Sequence, residues 1–122
     1  MNKIFIPSLN KYITKAGLGC VTFGREIDLS ASFAIMDYAL EKGVTFFDTA
    51  AVYGGGASEE IIGQWLSERG KAADHITIAT KLLPPFQDGT VATAVEQSLS
   101  RLRRGSVDIL FLHLSRTTRI LL

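Results

Sequence analysis

The sequence has few of the features that secreted or membrane-inserted proteins use. It contains one cysteine, Cys20, so no disulfide can form within the chain and no zinc-binding pattern is present. No apolar run approaches the about 20 residues of a membrane span, and the N-terminus lacks the apolar stretch of a secretion signal. These absences predict a protein without a metal site, outside the membrane and in a reducing compartment, with the cytoplasm as its expected location.

An excess of charge of either sign is also missing. The chain has 13 Lys and Arg residues against 12 Asp and Glu residues, a formal net charge of +1. Binding to a nucleic acid backbone is driven by clustered basic side chains, so nucleic acid is not expected as a main partner. The one dense basic cluster, Arg101, Arg103 and Arg104, falls where a helix is expected to end, and cations are favoured there in any case.

What is present is the composition of one globular domain. The 122 residues are 47% hydrophobic and 20% charged, which is enough for a core but leaves no room for two full domains. No linker or low-complexity segment divides the chain. Residues 1–122 are therefore predicted to form one domain.

Four short apolar runs recur along the chain, at residues 17–21, 44–48, 76–81 and 107–113. Their centres, at residues 18, 46, 78 and 110, lie 28, 32 and 32 residues apart, and helix-like segments separate them. Strands that alternate with helices form parallel sheets. The run 109–112 (ILFL) is continuously apolar, which predicts a strand buried on both faces.

Residues typical of helix starts and ends support this alternation of strands and helices. The expected start and stop signals of the three helices are, in order, Asp28 or Ser30 with Gly43, Ser58 with Gly70, and Thr90 with Gly105. Residues 3–6 and 12–14 flank a turn at 7–10 and predict an N-terminal β-hairpin.

The spacing of the units also indicates an architecture. A (β/α)8 barrel of about 250 residues uses about 31 residues for each βα unit, close to the spacing in this chain. The predicted fold class is therefore α/β: the first four βα units of a (β/α)8 barrel, preceded by a hairpin and incomplete as a barrel.

Polar side chains close three of the four predicted strands, at Asp48, Lys81 and His113. The carboxyl ends of barrel strands carry the chemistry of the fold, and Tyr53 follows Asp48 on a glycine-rich loop that can bring it back to the same rim. An ammonium held by a carboxylate makes a nearby phenol a stronger acid, and an imidazole can donate to a substrate oxygen. The set therefore predicts proton transfer to a carbonyl oxygen.

Each of these residues also has a simpler explanation. Alone, Asp48 is a turn former, Lys81 a solvated strand end, Tyr53 a surface aromatic and His113 a hydrogen-bonded, partly buried imidazole. Their occurrence at equivalent positions in successive units favours a single site.

The sequence gives less support to three other kinds of site: a dinucleotide-binding fingerprint, a phosphate-binding loop and a cysteine nucleophile. Residues 17–22 lack the third glycine of a dinucleotide fingerprint, and the glycines at 54–56 lack the Gly-Lys-Ser/Thr of a phosphate loop. Cys20 as a nucleophile has no histidine near it in sequence, and a lone cysteine is usually a small buried apolar residue.

The motifs at 17–24, 46–54, 58–63, 78–81 and 107–113 together resemble the N-terminal half of the aldo/keto reductase superfamily, which comprises NADPH-dependent (β/α)8 enzymes. The resemblance runs from about residue 17 to residue 113, and residues 114–122 form a tail that matches no motif of the family. It implies that Tyr53 protonates the carbonyl oxygen, Lys81 activates Tyr53, Asp48 holds Lys81 and His113 orients the substrate.

The resemblance also implies contacts with ligands. Thr22 and Asp48 would lie beside the nicotinamide ribose of NADPH. Phe23, Tyr53 and His113 would contact a small carbonyl substrate, an aldehyde or ketone.

Because the four later barrel strands are not found in the chain, the sequence predicts a truncated reductase that is inactive alone. Two alternatives remain open. One is a half-barrel that associates with itself through its exposed sheet face and serves as a binding or structural module. The other is a nucleotide-sensing regulatory subunit, similar to the potassium-channel β subunits.

Overall fold

The structure, a computed structural model, describes residues 1–112. Strands and helices alternate in it as the sequence predicts. The elements are β1 (Lys3–Ile6), β2 (Lys11–Thr14), β3 (Leu18–Gly19), α1 (Leu29–Glu41), β4 (Phe46–Asp48), α2 (Ala57–Arg69), β5 (Thr77–Leu82), α3 (Thr90–Leu102) and β6 (Ile109–Leu112). Short 3-10 turns occupy Pro7–Leu9, Tyr53–Gly56 and Gly70–Ala73.

The last four strands form one parallel sheet in the order β3-β4-β5-β6, which confirms the predicted α/β class. The first two strands form the predicted antiparallel hairpin. The hairpin is tied to the end of the sheet where the strands begin. There Thr14 Oγ1 accepts a hydrogen bond from Thr45 N at 3.1 Å, and Lys11 Nζ lies 3.6 Å from Asp108 Oδ1.

The three helices bury one face of the sheet. Trp65 of α2 is fully buried, and its ring centroid lies 5.5 Å from that of Phe47 on β4. Its indole N–H donates to Asp37 Oδ1 of α1 at 2.8 Å, so the buried ring keeps a hydrogen-bond partner. Arg69 also donates to both carboxylate oxygens of Asp37, which fastens α1 to α2.

Most of the predicted helix boundaries are confirmed. Asp28 is the N-cap of α1 and accepts from Ala31 N at 2.8 Å, whereas Ser30 lies inside the helix. Gly43, at φ +83°, follows the end of α1, and Gly70 caps the end of α2.

Two boundary predictions are wrong. Helix α2 begins at Ala57 after an N-cap at Gly56, because the Ser58 hydroxyl is engaged in the protein interior and does not cap the helix. Helix α3 ends at Leu102, and Arg103 takes the left-handed conformation that was expected at Gly105. The early stop turns the chain so that Arg104 donates to the carbonyl oxygens of residues 73 and 76, which fastens this turn to the segment between α2 and β5.

The prediction that β6 is buried on both faces is also wrong. Leu110, Phe111 and Leu112 are 39%, 46% and 49% exposed. Among the described strands, β6 pairs only with β5, so it is an edge of the sheet. Its apolar side chains are therefore open on the side away from β5.

Of the basic cluster, Arg101 is paired with Glu59 and Arg104 holds two backbone carbonyl groups, so both guanidinium groups are used inside the fold. Within residues 1–112, no helix has the length and apolar character needed to cross a membrane.

Candidate functional site

The structure brings together three of the predicted site residues. Lys81 Nζ donates to Asp48 Oδ1 at 2.8 Å and to Tyr53 Oη at 3.2 Å. Lys81 stands on β5 and Asp48 ends the neighbouring strand β4, so the parallel pairing of these strands places the two charges side by side. The Lys81 and Asp48 side chains are 17% and 37% exposed, so the cluster is screened from water but open on one side.

A third acceptor completes the surroundings of the ammonium group. Lys81 Nζ also donates to the backbone oxygen of Thr49 at 2.9 Å. An ammonium has three N–H donors, and these three contacts use all of them. This contact could not be predicted from the sequence, because a backbone carbonyl is present at every residue and only the path of the loop selects one.

These contacts determine the protonation of Lys81. Partial burial is the largest single influence and lowers the pKa of Lys81. The hydrogen bonds to Asp48 and Tyr53, with their charges, together outweigh burial, so the pKa of Lys81 lies above its ordinary value. The side chain is therefore a stable cation at neutral pH.

The loop that carries Tyr53, residues 49–56, is bound closely to β5. Thr49 N donates to Ala79 O at 2.8 Å and Ala51 N donates to Lys81 O at 3.0 Å, which continues the strand pairing into the loop. Gly54 then turns the chain with φ +61°, a conformation that a side chain would disfavour. A Cβ atom there would also lie 3.2 Å from that of Ala57. The tight turn leads directly into α2 and leaves Tyr53 beside Lys81.

The other predicted residues lie at different depths. Thr22 is half-buried in the turn after β3, where its carbonyl oxygen accepts from the N–H groups of Arg25 and Ile27. Phe23 is only 1% exposed and belongs to the hydrophobic core. A ring packed in the core offers no surface to a substrate, and this burial argues against the predicted substrate contact. His113 lies outside the described residues.

Cys20 does not provide a nucleophile. Its side chain is fully buried, and this burial raises the pKa of the thiol far above its ordinary value. The thiol is therefore protonated and inaccessible. No group of three His, Cys, Asp or Glu residues that could hold a metal occurs in the part of the chain that the structure describes.

A buried carboxylate supports the strand that carries Lys81. Glu59 of α2 is fully buried and accepts from Thr80 Oγ1 at 2.6 Å, from Ser98 Oγ at 3.2 Å and from Arg101 Nε at 2.8 Å. Thr80 immediately precedes Lys81 on β5. Glu59 thus joins two helices to the sheet next to the site.

A cleft elsewhere on the molecule has no part in this cluster. It is lined by residues of α1, α2 and α3, among them Glu60, Gln64 and Arg101, and by none of the predicted site residues. Among the described residues, the predicted site groups that contact one another, those of Asp48, Tyr53 and Lys81, meet at the ends of β4 and β5.

Comparison with known proteins gives a consistent result. The profile of the aldo/keto reductase family matches residues 15–119, a range that includes part of the 114–122 tail. An uncharacterized oxidoreductase, YrpG, of Bacillus subtilis is 31% identical over 118 residues, which are 83% of this chain and 36% of that protein. A probable voltage-gated potassium channel subunit beta of Arabidopsis thaliana is 36% identical over 101 residues, 76% of this chain and 31% of that protein.

Solved structures show the same relationship. The crystal structure of an aldo-keto reductase from Klebsiella pneumoniae in complex with NADPH superimposes with a TM-score of 0.78 and 28% identity. The match covers 93% of this chain and 40% of that structure. The chain thus spans between about a third and two fifths of the length of these relatives.

Proposed function

Because the chain belongs to the aldo/keto reductase family, we propose that it carries the Asp–Tyr–Lys part of an NADPH-dependent carbonyl reductase site. One observation supports this above all: the Lys81 ammonium group contacts both the Asp48 carboxylate and the Tyr53 hydroxyl. In fold terms, we propose that the four parallel strands and their helices are the first four units of a (β/α)8 barrel.

In this proposal Tyr53 is the general acid. Its hydroxyl gives a proton to the carbonyl oxygen of a small aldehyde or ketone, which becomes an alcohol. Lys81 donates a hydrogen bond to Tyr53 Oη and stabilises the negative charge that remains after the proton leaves. Asp48 keeps Lys81 in place and balances its charge. His113 would orient the substrate oxygen.

The residues present also fit the nucleotide. The Asp48 carboxylate is 37% exposed, so an acceptor remains accessible beside the ion pair and suits a ribose hydroxyl. Thr22, whose hydroxyl can donate and accept, would hold the same sugar. When bound, NADPH supplies the hydride that the carbonyl carbon accepts. A structural relative, the Klebsiella protein, was solved in complex with NADPH, and this supports the choice of cofactor.

A second candidate function is a nucleotide-sensing regulatory subunit. The relative from Arabidopsis, described as a probable potassium channel subunit beta, is 36% identical and supports it. In that case the Lys81 cluster would bind NADPH and the turnover of carbonyl compounds would be slow or absent.

A third candidate is a self-associating half-barrel. The three exposed apolar residues of β6 support it, because an open apolar edge strand favours pairing with another chain. Light scattering after size-exclusion chromatography tests this candidate: a discrete dimer supports it, and a monomer contradicts it.

The cytoplasmic location stays a prediction from the single cysteine.

Titration with NADPH, followed by the fluorescence of the cofactor, is the primary test of the reductase proposal. Saturable binding is expected, and no binding to the folded chain would overturn the proposal. Loss of NADPH absorbance is then measured with a small aromatic aldehyde. Tyr53→Phe should reduce turnover by about 100-fold or more, because it removes the proton donor.

A matched control is Tyr38→Phe, which changes a tyrosine that is 62% exposed on α1 and should leave turnover unchanged. Equal, measurable turnover in wild type and Tyr53→Phe would contradict the role of Tyr53. Saturable binding without turnover in the wild type would agree both with the truncated reductase that the sequence predicts to be inactive alone and with the regulatory subunit.

A further inference from the structure

The two ends of the Tyr53 loop, residues 49–56, are joined by a pair of buried hydroxyl groups. Thr49 Oγ1 and Ser58 Oγ lie 2.8 Å apart, and neither side chain is exposed to solvent. Thr49 leaves the end of β4 and Ser58 lies in the first turn of α2. The hydroxyl contact thus closes the loop at its base.

The direction of these hydrogen bonds follows from counting protons. Ser58 Oγ donates to the backbone oxygen of Cys20 at 2.8 Å. A hydroxyl group has one proton, so Ser58 has none left for Thr49 and must accept from it. Cys20 N in turn donates to Asp48 O at 2.9 Å. The bonds therefore form a closed circuit through Asp48, Thr49, Ser58 and Cys20.

This circuit touches the site at two points. Asp48 and Thr49 share one peptide bond, and they provide the carboxylate and the carbonyl oxygen that accept from Lys81 Nζ. The Thr49 carbonyl oxygen belongs to the next peptide group, between residues 49 and 50, so the backbone of residues 48–49 positions both acceptors around the ammonium group. Tyr53 is on the loop that the same circuit closes.

We propose that Thr49 and Ser58 are positioning residues, whose buried hydroxyl pair fixes the backbone of residues 48–49 and so holds the Lys81 ammonium group against Tyr53. The inference rests on the proposed function for its purpose, because it assigns these residues to the proton-transfer pair. Neither residue touches the reacting atoms. Ser58 was predicted as a helix cap, and its position in the fold gives it this different role.

The test follows the titration of Lys81 itself, by NMR of lysine labelled at the carbon beside Nζ, with the signal assigned through Lys81→Arg. Three titratable groups face Lys81 in the described residues: Asp48, Tyr53 and the thiol of Cys20, which burial keeps protonated. Thr49→Val and Ser58→Ala should each shift the titration midpoint of Lys81 downward. In both variants the hydrogen bonds that stabilise the cation weaken, while burial remains.

Two variants serve as controls. Thr49→Ser keeps the hydroxyl group and should retain the wild-type midpoint. Thr77→Val changes a fully buried threonine on the same strand as Lys81, whose hydroxyl has no hydrogen-bond partner within the described residues, and should also leave the midpoint unchanged. Thr77→Val makes the same exchange as Thr49→Val on the strand of Lys81 but removes no hydrogen bond from residues 1–112, so the contrast separates loss of the Thr49 hydrogen bond from the exchange itself.

Wild-type midpoints in both Thr49→Val and Ser58→Ala would overturn the proposal. Should one of these variants fail to fold, the other decides, because the proposal assigns the same role to both hydroxyl groups. A wild-type midpoint in the variant that folds then overturns the proposal. The titration needs no cofactor, so its result is independent of whether the chain binds NADPH.

Discussion

Lys81 Nζ lies 2.8 Å from Asp48 Oδ1, although 33 residues separate the two in sequence. The contact arises because β4 and β5 are adjacent and parallel, so their carboxyl ends meet. In it a phenol, that of Tyr53, contacts the ammonium group of the ion pair, which distinguishes this site from the other ion pairs within residues 1–112. Asp37 and Arg69, for example, tie two helices together and lie beside the Trp65 indole.

The Lys81–Asp48 pair should make stability depend on alkaline pH. The pKa of Lys81 is raised in the folded state, so its contribution is fully present below the unfolded value of 10.5 and is lost as the pH rises through the folded value. The stability difference between wild type and Lys81→Met, from urea unfolding at a series of pH values, should therefore decline above about pH 10.5. Lys71→Met changes an exposed lysine and leaves Lys81 in place, so this variant should lose stability at alkaline pH as the wild type does. A difference that grows with pH would contradict the raised pKa.

Glu59→Gln should destabilise the fold by about 3 kcal/mol, because it leaves Arg101 without the carboxylate that pairs with it. The neighbouring Glu60 is exposed, and Glu60→Gln should change stability by no more than about 0.5 kcal/mol. Urea unfolding of both variants measures the two effects. Equal stabilities would show that the buried carboxylate contributes no more than a surface one.

Gly63→Ala should destabilise the protein by about 2 kcal/mol or more, even though alanine is the better helix former. A Cβ atom at Gly63 would overlap the backbone oxygen of Arg101, so α2 and α3 would have to separate. Gly105→Ala adds the same methyl group where no heavy atom lies within 4 Å and should have little effect. Thermal unfolding of both variants shows whether the effect comes from the close contact at Gly63 or from the glycine-to-alanine exchange itself. Similar losses of stability in the two variants would argue against close packing of α2 on α3.

Asp28→Ala should cost about 1 kcal/mol, because the Asp28 carboxylate caps α1 through Ala31 N. Ser30 was the other candidate for this cap, and it lies within the helix, so Ser30→Ala should be nearly neutral. Helix content by circular dichroism and the urea midpoint provide the measurement. A larger loss from Ser30→Ala than from Asp28→Ala would reverse the assignment.

Much of the fold was predictable because its signals are local. The apolar runs, the cap at Asp28 and the stops at Gly43 and Gly70 depend on residues within one turn or strand of each other. The strand ends at Asp48 and Lys81 were likewise visible as polar residues after apolar runs. Their proximity followed from the rule that parallel strands align their carboxyl ends.

The sequence alone determined the order of the elements and the kinds of residue at the strand ends, because both follow from periodicity and from side-chain chemistry. Only the tertiary structure showed that Ser58 turns inward to Cys20 and that the Thr49 carbonyl accepts from Lys81. It also placed Phe23 in the core. These features depend on which distant backbone atoms come within hydrogen-bond distance. That proximity is set by packing of α2 against the sheet, which no local pattern encodes.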